Sequence, residues 1–210
     1  MDENDKKLIQ ERYRDRLLQY GPSIKALASG TEARRMIRFD ILTEIGIGEG
    51  SSILDVGCGL VDYYAHLSKK GINVQYTGID IVPELITSAR TEYPNLDIHV
   101  RDLQKNPFPE SSYDYVVCSQ VFNFRLAEGR NDTLVRDMLR IMSRTARYGV
   151  AVDFLTSYVD FEQEHLYYYR PEELFSYAKQ LTRRVTLRHD YPLFEFCLYL
   201  YPSFKGWSES

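Results

Sequence analysis

Short apolar segments alternate with amphipathic segments along most of this chain, and that alternation restricts the fold more than any other feature. Five segments rich in β-branched and aromatic residues have the length and composition of buried strands: 51–56, 73–80, 96–100, 112–119 and 148–155. Apolar residues at helical spacing fall between most of them, over 60–70, 83–92 and 128–147. Strands that alternate with helices indicate βαβ units, so the sequence predicts a mostly parallel sheet.

The end of the chain follows a different pattern. A helix is predicted over 171–182, and two strand-like segments follow it, RVTLRHDY and FEFCLYLYP, separated only by Pro192 and Leu193. So short a link allows a hairpin but not a crossover helix, and the final strand should therefore run antiparallel to the sheet. The prediction is an α/β fold with seven strands, mostly parallel, and an antiparallel C-terminal strand.

Two helices are predicted before the first strand. Residues 4–20 carry apolar side chains at helical spacing among charges, and Thr31 can cap a second helix. We interpret residues 1–48 as an N-terminal helical cover and residues 49–210 as the α/β core. Since no internal repeat or low-complexity linker is present, the whole chain is predicted to be one domain.

Composition argues against several functional classes. The 26 basic residues against 30 acidic ones give a formal net charge of −4, and no basic run exceeds two residues, which is atypical of a nucleic-acid-backbone binder. No segment approaches the roughly 18 apolar residues of a membrane helix, and the N-terminus lacks targeting features, so we expect a cytoplasmic protein. Cys58, Cys118 and Cys197 are too widely spaced for a metal site or a disulfide framework, so we expect buried, reduced thiols and no metal.

The first strand ends in the motif ILDVGCG, residues 53–59. In an α/β fold this position brings a loop and a helix N-terminus to the carboxyl edge of the sheet, where nucleotide-like ligands bind. The glycines could also merely permit a tight turn. A nicotinamide-type fingerprint needs a third glycine at the position of Asp62, and the carboxylate of Asp55 would disfavour a pyrophosphate. A ligand with an ammonium group would instead form a charge-assisted hydrogen bond with Asp55.

A second acidic residue, Asp80, ends the second strand in the sequence GID. It follows Gly59 by 21 residues, close to the ~20-residue offset of an acid that binds ribose hydroxyls. Together, Asp55 and Asp80 favour ligand binding over a purely structural turn, with an ammonium group accepted beside Asp55 and ribose hydroxyls beside Asp80.

With these motifs the chain resembles the class I S-adenosylmethionine-dependent methyltransferases. ILDVGCG is similar to the first motif of that family, GID to its ribose acid, and RDLQKNPFPESSYDYVVCS to its adenine loop and fourth strand. The resemblance covers roughly 50–155 by motif and the remainder by topology. It implies a Rossmann-like fold, S-adenosylmethionine as cofactor and S-adenosylhomocysteine as product.

The resemblance also implies roles for individual residues. Matched to the family motifs, the cofactor-binding positions are Asp55, Gly57 and Gly59 for the methionine moiety, Asp80 for the ribose, Ile81, Asp102 and Leu103 for the adenine, and Ser119 near the methionyl end. The segment GTEARRMIRFDIL resembles a helix that folds over the cofactor, where Arg38, ahead of Arg35, would pair with the methionyl carboxylate or else stay solvated. Val61 stands where the family commonly has a third glycine, and it could tighten helix packing or narrow the loop.

The expected chemistry is an in-line methyl transfer in which holding the acceptor nucleophile near the methyl group supplies much of the catalysis. His165, in the long segment 156–170, and Asp153, at the end of the fifth strand, are candidate general bases. Segments 1–30 and 156–170 are expected to form a mobile cover.

Three further residues are candidate substrate contacts. Asn123 follows the fourth strand, and it could orient a substrate or cap the next helix. Tyr158 and Tyr168 could enclose a planar substrate, or they could pack the loop.

The acceptor class is narrowed by exclusion. The end of the fourth strand reads SQVF, which lacks the acidic or amide residue, two prolines and aromatic residue of amino-base nucleic-acid methyltransferases. Cys118 follows Val117 within a strand, so the nucleophile of a cytosine-C5 enzyme is also missing. We therefore expect a small-molecule acceptor, with no membrane and no nucleic-acid partner. A protein or RNA acceptor, or a non-catalytic relative that binds the cofactor or a partner, is the alternative, and the sequence does not indicate an oligomeric state.

Overall fold

Seven strands form one sheet in the computed structural model, in the order β3-β2-β1-β4-β5-β7-β6. The strands are β1 (Ser52–Val56), β2 (Gln75–Asp80), β3 (Asp97–Val100), β4 (Tyr113–Cys118), β5 (Ala146–Leu155), β6 (Val185–Arg188) and β7 (Glu195–Leu200). The structure describes residues 1–204 and 206, so the last part of the predicted core, 205 and 207–210, lies outside the described residues.

Six α-helices accompany the sheet within the described part of the chain: α1 (Glu3–Tyr20), α2 (Glu32–Thr43), α3 (Asp62–Lys69), α4 (Pro83–Glu92), α5 (Asn131–Thr145) and α6 (Pro171–Leu181). The predicted start of α2 is confirmed, because the Thr31 side chain accepts a hydrogen bond from the backbone N–H of Arg34. Pro83 and Pro171 begin α4 and α6, where a missing N–H costs nothing.

The predicted strand directions are confirmed. Strands β1 to β5 pair in parallel, whereas β7 runs antiparallel to both β5 and β6. The antiparallel register pairs Leu155 with Glu195, so the beginning of β7 lies beside the end of β5. A residue from the end of the chain thereby reaches the carboxyl edge of the parallel strands.

Both faces of the sheet are buried, which explains the nearly continuous apolar character of its strands. On one face, Leu54 and Val56 of β1 join the apolar residues of α5 and α6. On the other face, Ile53 packs with residues of α2, α3 and α4. Because successive side chains of a strand point to opposite faces, one short strand supplies both cores.

The N-terminal helices lie against the carboxyl edge and one face of the sheet. Helix α2 buries Arg38, Phe39, Ile41 and Leu42, while α1 contributes Ile9 to a cavity described below. Among residues 1–204 and 206, no helix is long and apolar enough to cross a bilayer. The single-domain boundaries and the cytoplasmic location stay predictions.

Candidate active site

A cavity opens at the carboxyl edge of the sheet between the strand ends and the N-terminal helices. It contains roughly 1380 Å³ of empty space, counting its open mouth. Predicted cofactor-binding residues line it together: Arg38, Asp55, Gly57, Gly59, Asp80, Ile81, Asp102, Leu103 and Ser119. The sequence motifs, which are spread over 82 positions, are therefore brought to one place by the parallel arrangement of β1, β2 and β4.

The glycine turn after β1 has a backbone that side chains would disturb. Gly57 and Gly59 have φ values of +76° and +54°, in the left-handed region. A Cβ atom on Gly57 would lie 2.2 Å from Val121 Cγ2, closer than any real contact. The tight-turn interpretation of the motif is confirmed by these backbone angles. Both glycines also line the cavity, and their contact with a ligand stays a prediction. Val61 has a φ of +58°, so the non-glycine residue adopts the same left-handed region.

Asp80 fastens this turn to the end of β2. Its Oδ2 accepts a hydrogen bond from Gly59 N at 3.0 Å, and its Oδ1 accepts one from Val82 N at 2.9 Å. Burial raises the pKa of the Asp80 carboxyl, and these backbone donors oppose that rise. The carboxylate is thus ordered before any ligand arrives.

Asp55 is buried beneath the turn. Its Oδ2 accepts a hydrogen bond of 2.5 Å from the Tyr76 hydroxyl. Burial raises the pKa of Asp55 to about 7, against the lowering effect of Tyr76. A ligand cation beside Asp55 would favour its charged form.

Arg38 is buried, so the alternative of a solvated side chain is wrong, and its guanidinium already has partners within the protein. Nε and Nη2 donate to the two carboxylate oxygens of Glu195 at 2.6 and 2.8 Å, and Nη1 donates to the Ser29 carbonyl at 2.9 Å. A role for Arg38 toward the methionyl carboxylate stays a prediction, in competition with Glu195. Arg35 is paired as well, with Asp62 and Glu32.

A buried polar network extends from this ion pair to the end of β5. Ser119 Oγ donates to Asp153 Oδ2 at 2.5 Å, and Gln120 donates to Asp153 Oδ1 through both its backbone N (2.7 Å) and its Nε2 (3.0 Å). Gln120 Nε2 also lies 3.3 Å from Glu195 Oε2. Burial, and then the charge of Glu195, raise the pKa of Asp153. Ser119 and Gln120 line the cavity, so Asp153 contacts it through them.

Sequence reasoning missed Gln120, although it is the second residue after the end of β4. Its φ of +60° is rare for a residue with a side chain and occurs at a turn of the candidate site. No local pattern encodes this conformation, because it is fixed by hydrogen bonds to residues more than 30 positions away.

Asn123 has a defined partner near the cavity. Its Nδ2 donates to Gln120 Oε1 at 2.7 Å, whereas its own buried Oδ1 has no hydrogen-bond partner within the described residues. The N-cap of α5 is Arg130, so the capping interpretation of Asn123 is wrong. A role in orienting substrate stays a prediction.

Three candidates of the 156–170 segment lie apart from the cavity lining. His165 and Tyr158 are exposed, and Tyr158 packs near His189. Tyr168 is half-buried and its hydroxyl accepts from Gln163 N. None of the three lines the main cavity, so their catalytic and substrate-binding roles stay predictions without a contact that supports them.

Helix α1 touches the predicted adenine region directly. Lys6 Nζ lies 3.0 Å from Asp102 Oδ2, and Gln10 Nε2 donates to the Ile81 carbonyl at 2.6 Å. The sequence predicts a cover here but does not identify Lys6 or Gln10, because a polar face on an amphipathic helix usually faces solvent.

The three cysteines are free and buried, as expected. Over the described ranges, no cluster of three His, Cys, Asp or Glu residues could hold a metal ion.

A parallel sheet with a glycine turn after β1, an acid at the end of β2 and a cavity above both defines a Rossmann-like cofactor-binding protein. Comparison with known proteins narrows this class. A family model described as a methyltransferase domain matches residues 53–145. A Mycobacterium tuberculosis protein named as a methyltransferase, Rv1506c, is 32% identical over 156 residues, which are 70% of this chain and 90% of that protein.

Two further proteins share part of the sequence or the fold. The demethylmenaquinone methyltransferase of Chlorobaculum parvum is 39% identical over 83 residues, 38% of this chain and 34% of that protein. The crystal structure of magnesium protoporphyrin IX methyltransferase from Synechocystis with bound S-adenosylhomocysteine has a TM-score of 0.66 at 15% identity, covering 95% of this chain and 100% of that one. The chain belongs to the class I S-adenosylmethionine-dependent methyltransferases.

Proposed function

We propose that this methyltransferase transfers the methyl group of S-adenosylmethionine to a small, largely apolar acceptor bound in the cavity above the sheet. One observation supports this most: a single cavity joins the predicted cofactor residues to an apolar region. That region is lined by Phe39, Leu42, Val121, Phe122, Leu134 and Met138. An enclosed apolar space suits a small ligand better than an extended macromolecule.

The residues present fit the cofactor. Gly57 and Gly59 line the cavity without side chains, and Asp80 is oriented at the end of β2. A cationic group beside the buried Asp55 would stabilise the charged form of its carboxyl group. We assign Asp55 to the methionyl ammonium, Asp80 to the ribose, and Ile81, Asp102 and Leu103 to the adenine. S-adenosylmethionine supplies an electrophilic methyl group when bound.

The chain's own contribution is to hold the acceptor and exclude water. Apolar walls favour an acceptor with an apolar body, and burial of both partners raises the effective concentration of the nucleophile at the methyl group. This proximity supplies most of the expected rate enhancement.

A proton route is available for an acceptor that is protonated at the start. The Ser119 hydroxyl lines the cavity and donates to Asp153. Ser119 can accept the acceptor's proton while passing its own to Asp153 Oδ2, a carboxylate whose pKa is raised by burial and is therefore better matched to this task. We propose Asp153 as the base acting through Ser119, with His165 as the alternative.

Calorimetry with S-adenosylhomocysteine tests the cofactor assignment. Asp80→Ala should weaken binding by about 1.5–3 kcal/mol, the scale of a hydrogen bond to a charged group. Because Asp80 also holds the glycine turn, Asp97→Ala provides a control for loss of an acid on the neighbouring strand, and circular dichroism checks that both variants fold. No binding to the wild-type protein at millimolar concentration would refute the cofactor assignment.

The acceptor class is tested by a screen for S-adenosylhomocysteine formation. The panel contains apolar aromatic alcohols, amines and acids, and each class is compared with short peptides and with RNA as acceptors. Turnover only with a peptide or an RNA would contradict the small-molecule proposal, and cofactor binding with no turnover on any class would favour the non-catalytic alternative.

A further inference from the structure

A second cavity lies beside the first, between α1 and the segment that follows β4. It contains roughly 550 Å³ of empty space, counting its opening. Ile9, Phe124 and Leu126 line both cavities, so the two share a wall. Arg12 and Arg125 line only the second cavity, and they give its outer part a cationic character.

Arg12 is a cation without a counter-ion. Its Cζ lies 4.1 Å from the centroid of the Phe124 ring. Its Nε is buried and makes no hydrogen bond, and no carboxylate of residues 1–204 or 206 lies within ion-pair distance of it. The residue as a whole is half-buried, so a ligand in the cavity can reach the rest of its guanidinium. A ligand anion at this position would supply the missing counter-ion of Arg12.

Arg125 faces the same cavity with weak pairing. Its Nε donates to the Glu164 carbonyl at 2.9 Å, and its Nη2 lies 3.5 Å from Glu162 Oε2, where both side chains are exposed. An exposed pair at this distance contributes little and can exchange for a ligand.

The acidic residue of this cavity does not cancel the two cations. Asp5 is buried, its Oδ2 lies 3.1 Å from Nη2 of Arg130, and its Oδ1 accepts from Ala127 N at 3.3 Å. Arg130 is the ion-pair partner of Asp5, and it also lies within ion-pair distance of Asp2 and Glu128. Neither Arg12 nor Arg125 pairs with Asp5 in the described part of the chain, so both can still face an anion.

We propose that Arg12 and Arg125 bind an anionic oxygen group, a carboxylate or a phosphate monoester, on the methyl acceptor. The apolar body of the acceptor then extends past Phe124 into the main cavity. The inference rests on the proposed function and specifies its substrate class as an amphipathic acid. Guanidinium groups suit this role because their fork of N–H donors matches the geometry of anionic oxygens.

Calorimetry on the protein saturated with S-adenosylhomocysteine tests the site with matched probes. The probes are 2-naphthoate, 2-naphthyl phosphate and the neutral 2-naphthamide. At least one anion should bind about tenfold more tightly than the amide, the equivalent of one modest charged hydrogen bond, and the stronger anion identifies the preferred group. Arg12→Met should abolish the preference, Arg12→Lys should keep part of it, and the control Arg14→Met on the same helix should leave it unchanged.

Thermal unfolding separates ligand binding from a structural role. Arg12→Met should keep or raise the melting temperature, because the variant removes an uncompensated cation and retains an apolar contact with Phe124. A clear drop would indicate that Arg12 serves packing and would overturn the inference.

The binding outcomes also distinguish this inference from the proposed function. Equal affinity for anions and amide, no binding of any probe at millimolar concentration, or the same loss in Arg14→Met would overturn the anion site while leaving cofactor binding intact. Failure of the wild-type protein to bind S-adenosylhomocysteine would refute the proposed function itself.

Discussion

Arg38 and Glu195 form a buried two-pronged ion pair between residues 157 positions apart, with N–O distances of 2.6 and 2.8 Å. The pair joins α2 to the beginning of β7 and thereby attaches the N-terminal cover to the sheet. Asp153 lies in the same network, so the cluster of these three side chains contains two carboxyl groups and one guanidinium.

Breaking this pair should be strongly destabilising. Arg38→Met leaves Glu195 buried without its cation and should lower the free energy of unfolding by about 3–5 kcal/mol in urea titrations. Arg38→Met combined with Glu195→Met should recover part of that loss, since the buried Glu195 charge is then removed together with its partner and only the Asp153 carboxyl remains, held by Ser119 and Gln120. Arg188→Met is the control, because it breaks the more exposed pair with Glu44 and should cost about 0–1 kcal/mol. Equal losses in the two single variants would contradict the prediction.

The pH dependence of stability should include a contribution from Asp55. Burial raises its pKa from 3.8 to about 7, so the folded protein retains a proton that the unfolded chain releases. The contribution is fully favourable below pH 4 and is lost as the pH rises to 7. Asp55→Asn should remove this loss and raise the free energy of unfolding at pH 8 by up to about 4 kcal/mol. Denaturant titrations at several pH values from 5 to 8 give the free energy of unfolding of the wild type and the variant. The same pH dependence in both proteins would contradict the prediction.

Val61 should combine an unfavourable backbone conformation with favourable side-chain packing that compensates for it. Its side chain is fully buried, yet its φ of +58° is unfavourable for a β-branched residue. Val61→Gly loses packing but relieves strain, so it should cost about 1–3 kcal/mol less in unfolding free energy than Val117→Gly. Val117 is equally buried within β4 and provides the matched comparison. A larger cost at position 61, with unchanged cofactor affinity, would show that packing dominates there.

The base assignment should be resolved by paired variants and an acceptor from the screen. Asp153→Asn retains shape while removing basicity, and it should lower kcat by about 10²–10⁴-fold. Ser119→Ala should lower it as well, because it removes the hydroxyl that links Asp153 to the cavity. His165→Gln tests the alternative base, and we expect a smaller loss with an unchanged pH profile. A larger effect at His165 than at Asp153 would reverse the assignment.

Much of the fold follows from local patterns. The ILDVGCG and GID segments predict the two strand ends that meet at the cavity, and the short link at Pro192 predicts the antiparallel last strand. Such features are readable because strand and helix periods are properties of a few consecutive residues. The exposed position of His165 in segment 156–170 does not follow from such patterns, since the composition of a loop does not indicate which of its side chains face the cavity.

The sequence by itself determined the strand directions, the position of the glycine turn, and the placement of Asp55 and Asp80 at the cavity, because each depends on short-range spacing. Only the tertiary structure decided what the buried charges contact. Arg38 pairs with Glu195, and Gln120 bridges Asp153 and Glu195. Arg12 lies over the Phe124 ring, with no carboxylate of the described residues in ion-pair distance. These relationships join distant segments and depend on burial, which changes the energy of a charge by more than any local pattern encodes.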